Sequence, residues 1–178
     1  MKASSWFAKM SGTALTLDNL ENVLTLQLRD LLSAEEQLIV ALPKMADAAS
    51  SPQLKRAFQT HLGETRQHKQ RLEQAFRQLN QEPKAETCDA MKGLISEGKE
   101  VIDLEGEPDV KDAALIAAAQ RVEHYEIAGY GCARSFARRL GHQDVAALLQ
   151  QTLQEEGNAD KLLTQIAEET VNEHAATA

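Results

Sequence analysis

The sequence predicts an all-α fold: an antiparallel four-helix bundle with a long crossover between the second and third helices that carries a short extra helix. Three observations predict it. Apolar residues recur at spacings of three and four along four separate long stretches. Aromatics make up 4% of the 178 residues, with nine Gly and four Pro, which is lean for a chain of strands and tight turns. Short breaks separate the first stretch from the second and the third from the fourth. A far longer segment separates the second from the third, long enough to cross from one end of a bundle to the other.

Residues 1–15 (MKASSWFAKMSGTAL) show no sustained period and read as a flexible leader, or as an arm that docks Trp6 and Phe7. A single helical domain then spans 16–170. Its first helix is predicted over 17–48, beginning after Thr16. Leu24, Leu28, Leu31, Leu38 and Leu42 form its stripe, and Glu35 takes the one vacant position. Pro43 predicts a kink or an early last turn. Ser51 as N-cap and Pro52 at the first helical position open a second helix over 52–80. Its stripe is Leu54, Phe58, His61, Thr65, His68, Leu72, Phe76 and Leu79, with Glu64 along one edge.

A short amphipathic helix follows over 86–103, and LEGEPD breaks the chain. With Asp109 as its cap, the third long helix is predicted over 110–140. Its stripe is Leu115, Ala119, Val122, Glu126, Gly129, Ala133, Phe136 and Leu140, and Gly141 stops it. The fourth runs over 142–170 with Val145, Leu148, Leu149, Leu153, Leu162, Leu163 and Ile166, and the polar residues 171–178 read as a frayed tail.

A formal net charge of −8 argues against nonspecific nucleic-acid or anionic-membrane binding. The basic residues of the leader, Lys2 and Lys9, are too few to reverse that. No stretch approaches the ~20 apolar residues of a membrane span, and no apolar run has signal-peptide length. Cys88 and Cys132 form no CxxC and suit a reducing compartment. A cytoplasmic protein is the expectation.

Carboxylates recur on the inner stripes. Glu35 lies on the first helix, His61 and Glu64 on the second, Glu123 and Glu126 on the third, and Glu155 and Glu156 on the fourth, where Leu149, Leu153 and Leu163 set Glu156 on one inner stripe. Each lies near mid-helix, so an antiparallel bundle brings them to one level. A lone Glu in a leucine stripe ordinarily reaches to water, and a lone His is ordinarily a hydrogen-bonded core residue. Several unpaired buried carboxylates, however, would exceed the ~5–15 kcal/mol stability of a domain. Arg66, Arg71 and Arg121 fall mostly off the stripes, so two divalent cations are the natural counter-charge. Ferritin-like dimetal bundles have this plan, with one Glu from each of two helices and Glu-x-x-His from the other two.

Five segments, AEEQLIVALPKMADAA, HLGETRQHKQRLEQ, CDAMKGLISEGKEVI, DAALIAAAQRVEHYEIAGYG and TLQEEGNADKLLTQIA, closely resemble the YciE/YciF family of ferritin-like bacterial stress proteins, nearer its YciF branch. The resemblance covers residues 17–170. It implies a rubrerythrin-like fold, a homodimer, and metal held by Glu35, His61, Glu64, Glu123, Glu126 and Glu156. Two departures from the usual plan stand out. The second helix reads His-x-x-Glu, and the fourth has no central histidine, so Glu126 would replace one imidazole. A carboxylate-rich site favours iron or manganese. The resemblance does not support His68 as a ligand, and it ranks as outer support.

Two function classes follow. One is a dimetal oxidoreductase, ferroxidase- or peroxidase-like, handling Fe(II), O2 or peroxide, with Tyr125 and Tyr130 within a turn of the ligands. The other is a noncatalytic structural or interaction protein whose metal stabilises the bundle.

Overall fold

The computed structural model describes residues 16–178 and is helical throughout, with no strand among the described residues. Helix α1 spans Leu20–Ala48, α2 Pro52–Gln78, α3 Asp89–Asp103, α4 Pro108–Leu140 and α5 Gln143–Ile166. A π-helical turn, Ala167–Val171, and a last helical turn α6, Asn172–Ala175, complete the chain. The leader, with Trp6 and Phe7, lies outside the described residues.

The helix ends follow capping chemistry. Asn19, not Thr16, caps α1: its side chain accepts from the Asn22 amide, so the helix begins three residues later than the leucine stripe suggests. Pro43 does not shorten α1, which runs on to Ala48. Ser51 caps α2 as its sequence predicts, with Pro52 in the first turn. The α4 helix starts earlier than expected. Pro108 opens it after Glu107, so Asp109 sits inside the first turn, where it complements the helix dipole without capping. Gly141 ends α4 at φ 86°, a left-handed conformation only glycine adopts freely.

The short turn 49–51 folds α2 back along α1, and Gly141–His142 folds α5 back along α4. Each of these four helices packs on two others: α1 on α2 and α4, and α5 on α2 and α4. The crossover segment lays α3 across α1 and α4. Val171 is buried, and α6 rests on α4, so the C-terminal residues continue the packed structure beyond 170.

The core is split into two apolar clusters. One collects Leu38, Leu42, Phe58, Leu115, Ile116, Leu163 and their neighbours. The other collects Leu24, Leu28, Leu72, Phe76, Tyr130, Val145 and Leu149. On every long helix the polar residues singled out above fall between the stretches that feed these clusters. They therefore form one buried polar layer with a hydrophobic block on either side.

Two polar ties secure the frame. The buried Asp112 carboxylate of α4 accepts from the Ser50 and Ser51 amides at 2.9 and 2.6 Å, fixing the α1–α2 turn to α4. Cys88 caps α3, and its amide donates to Ser33 Oγ at 3.0 Å. Its Sγ lies 3.0 Å from the Tyr125 hydroxyl, which donates to Asp30. That hydroxyl is thus committed to packing α3 against α1 and α4.

Candidate metal centre

The polar layer is built from α1, α2, α4 and α5. His61 and His68 stand seven residues apart on α2, two turns, so both imidazoles point the same way. Glu123 and Glu126 share a face of α4. Glu35, Glu126, Glu156 and His68 are 0% exposed.

Two groups emerge. His61, Glu123, Glu126 and Glu156 offer ligand atoms all within 4.8 Å of one another, and so do Glu35, His68 and Glu156. Glu156 belongs to both. Its Oε2 lies 3.6 Å from His61 Nε2, and its Oε1 lies 2.8 Å from His68 Nδ1. His61 Nε2 is also 3.4 Å from Glu123 Oε1, and His68 Nδ1 is 3.5 Å from Glu35 Oε1.

The outward nitrogen of each histidine has its own carboxylate. Glu64 Oε2 lies 3.2 Å from His61 Nδ1, and Glu155 Oε2 lies 2.9 Å from His68 Nε2. A carboxylate only accepts, so those outward nitrogens carry protons and the inward ones are aimed at the layer. Arg71 donates to Glu155, at 3.0 Å through Nη2, and also to Thr152 Oγ1 at 3.2 Å. On the other wall the Tyr130 hydroxyl donates to Glu35 Oε1. Carboxylates behind imidazoles are the usual means of orienting metal-binding histidines.

Charge balance argues for a guest. Eight buried polar atoms of the layer make no hydrogen bond: Glu35 Oε2, His61 Nε2, His68 Nδ1, Glu123 Oε2 and both oxygens of Glu126 and of Glu156. Among the described residues no lysine or arginine pairs with the four inner carboxylates; the nearest such pairing is Arg71 with Glu155. The protein alone answers with protons. Burial pushes Glu126 well above the usual carboxylate range, and the charges of Glu35, Glu156 and Glu123 push it further. Burial also raises Glu35, and it raises Glu123 to about 8.

Burial would lower both histidines, but the carboxylates prevail. Glu123, Glu64 and Glu156 bring His61 to about 9, and Glu156 and Glu35 bring His68 to about 10. Of the four inner carboxylates, Glu156 is the one held below its ordinary value against burial, by His68 and His61. Divalent ions would replace these protons with a fixed counter-charge. The donor set, four carboxylates and two imidazoles with no thiolate, fits such ions.

The sequence-predicted residues are placed as follows. Glu35, His61, Glu123, Glu126 and Glu156 converge. Glu64 is not brought into either group; its side chain is 36% exposed and turned to His61. It lines the mouth of a small opening of about 100 Å³ between α2 and α5 that reaches His61 and Glu123. His68, read as outer support, faces Glu35 and Glu156 directly. Its place on the same stripe as His61 was the available signal. Of the two adjacent acids on α5, Glu156 faces inward and Glu155 supports His68.

A family model, the domain of unknown function DUF892, matches residues 19–176. The chain belongs to the DUF892 family. It is 44% identical over 162 residues to Protein YciF of Escherichia coli strain K12, covering 90% of this chain and 98% of that one. The crystal structure of the E. coli stress protein YciF superposes with a TM-score of 0.85 at 45% identity, over 88% of this chain and 99% of that chain. YcfI of Rhodopseudomonas palustris, described as a candidate structural protein, gives 0.83 at 39% identity, over 89% and 99%. The close resemblance to YciF read from the five sequence segments therefore holds over most of the chain. No helix among the described residues is long and apolar enough to cross a membrane.

Proposed function

We propose that this chain is a ferritin-like antiparallel four-helix bundle holding two divalent ions, iron or manganese, and that it handles Fe(II), O2 or peroxide in a stress response as a cytoplasmic homodimer. The observation that carries the proposal is the layer of eight buried polar atoms that make no hydrogen bond, with no lysine or arginine among the described residues paired to its carboxylates. One ion would take His61, Glu123 and Glu126, the other Glu35 and His68, with Glu156 reaching both. Four carboxylates set −4 against the +4 of two divalent ions. When bound, iron or manganese would supply the electrons that an oxidant requires.

The chain's own residues orient and shield. Glu64 and Arg71–Glu155 fix the two imidazoles, Tyr130 holds Glu35, and the apolar clusters on either side exclude water. Tyr125 is engaged with Asp30 and Cys88, so Tyr130 is the tyrosine that touches a ligand.

A second reading, a noncatalytic structural protein whose metal holds the bundle, draws on the description of YcfI. Metal content of chelator-free preparations, followed by Fe(II) and peroxide consumption per metal, separates the two. Metal with turnover supports the first reading, and metal without turnover supports the second.

A further inference from the structure

A cavity of about 840 Å³ lies under α3, between α1 and α4, and its lining includes the buried His61 and Glu123 of the polar layer. Its walls are apolar: Leu38, Leu42, Phe58, Leu94, Ile95 and Val122. Its outer end reaches the surface beside Val40, which is 61% exposed. The volume lies inside the ~300–1,000 Å³ range of small-molecule sites, which combine apolar walls with a few placed polar groups. An ion and a diatomic oxidant need no such volume, and the opening beside Glu64 is a separate and far smaller way in.

The cavity's charges identify the kind of guest. Lys44, Lys99 and Lys111 face Glu36, Asp47 and Asp103, so the two signs balance. Lys99 is paired with Asp103, and Lys111 donates to the Ile102 carbonyl at 2.9 Å. Nothing there selects an anionic or cationic headgroup. At the inner end, His61 Nε2 and Glu123 Oε2 are buried and without a hydrogen bond.

We propose that this cavity binds an uncharged apolar organic molecule and presents one end of it to the His61–Glu123 side of the polar layer. The substrate class of the protein would then be a small hydrophobic compound rather than an ion or oxidant alone. The binding site stands on the cavity itself; its meaning as a substrate site rests on the metal-centre reading.

The test uses the full, metal-free chain and the uncharged probe N-phenyl-1-naphthylamine. Saturable binding of one probe per chain is expected. Gly98→Leu and Ala118→Leu, which fill the cavity from α3 and α4, should each weaken it at least about tenfold. Leu104→Ser, at an exposed apolar residue outside the cavity, should leave it unchanged. With methionine methyls carbon-13 labelled in the wild-type chain, the probe should move the resonance of Met45, which lines the cavity, and not that of Met91. Non-saturable binding, or full affinity in both filled variants with Met45 unmoved, overturns the proposal. Bound Mn(II) should broaden the probe's proton resonances. Metal binding without probe binding overturns this inference and leaves the metal centre intact. Probe binding without metal binding keeps the cavity site and overturns the metal centre.

Discussion

Replacing Glu126 by Gln probes the polar layer at its least supported point. Glu126 is fully buried, neither of its oxygens is hydrogen-bonded, and no lysine or arginine among the described residues pairs with it. Burial and three neighbouring acids hold its pKa well above the ordinary carboxylate value, so the charged form is disfavoured in the metal-free protein. An amide of the same shape removes that disfavoured charge, so the metal-free fold should change by no more than ~0.5 kcal/mol, or gain stability. Metal binding should respond very differently, because the anion that would contact the ion is gone. We expect at least a tenfold loss of Mn(II) affinity, about 1.4 kcal/mol, by calorimetric titration alongside melting of the metal-free variant. Glu36→Gln is the control. Glu36 pairs with Lys69 at 3.0 Å on the partly exposed surface, and its loss should cost less than ~0.5 kcal/mol and leave metal affinity alone. Equal affinity in Glu126→Gln and wild type would remove Glu126 from the site. A loss of ~3 kcal/mol or more in the metal-free fold, with affinity intact, would reveal a buried partner cation instead.

Glu155→Gln keeps the side chain's shape but weakens its hold on His68 and Arg71, so Mn(II) affinity should fall ~10–100-fold without direct contact to the ion; unaltered affinity would make Glu155 a surface residue only. Asp112→Ala strands the Ser50 and Ser51 amides, and urea unfolding should show a loss of about 2–3 kcal/mol whether or not metal is present; a neutral effect would contradict the tie between the α1–α2 turn and α4. The pH dependence has a defined sign. Glu123 is raised from 4.5 to about 8, so its contribution to the metal-free fold is complete below pH 4.5 and lost as pH rises through about 8. His61 and His68, raised from 6.5 to about 9 and about 10, act in the same sense above 6.5. The metal-free melting temperature should therefore fall from about pH 6 to about pH 8.5, while the Mn(II)-induced rise grows because fewer protons must be displaced; a rise that shrinks over that window would contradict the proton inventory.

Much of the architecture was legible because periodicity is a local signal. The leucine stripe of α1, the Ser51–Pro52 start of α2 and the Gly141 stop of α4 all depend on near neighbours in the chain. The α1 and α4 starts were displaced by two or three residues because several polar residues compete to cap, and Asn19 wins only through its contact with the Asn22 amide. Site membership was legible where a charged residue interrupts an apolar stripe, as at Glu35 and Glu126. Between Glu155 and Glu156, adjacent and one helical step of rotation apart, the signal was thin: Leu149, Leu153 and Leu163 set Glu156 on one of the inner stripes the fourth helix offers. Arg71, reaching from α2, shows which of them turns outward. His68 lay on the inner stripe in plain view, but its role depends on Glu35 and Glu156 arriving from two other helices. The Asp112 tie and the Cys88–Tyr125–Asp30 contacts left no periodic trace, because each joins residues distant in sequence.

Anomalous scattering at the manganese edge from Mn(II)-soaked crystals would locate the two ions proposed inside the polar layer. Two peaks per chain about 3.5–4 Å apart are expected. One should lie among His61, Glu123 and Glu126, the other between Glu35 and His68, with Glu156 reaching both. An absence of peaks within the layer at saturating Mn(II), or peaks confined to exposed acids such as Glu168 and Glu169, would contradict that proposal.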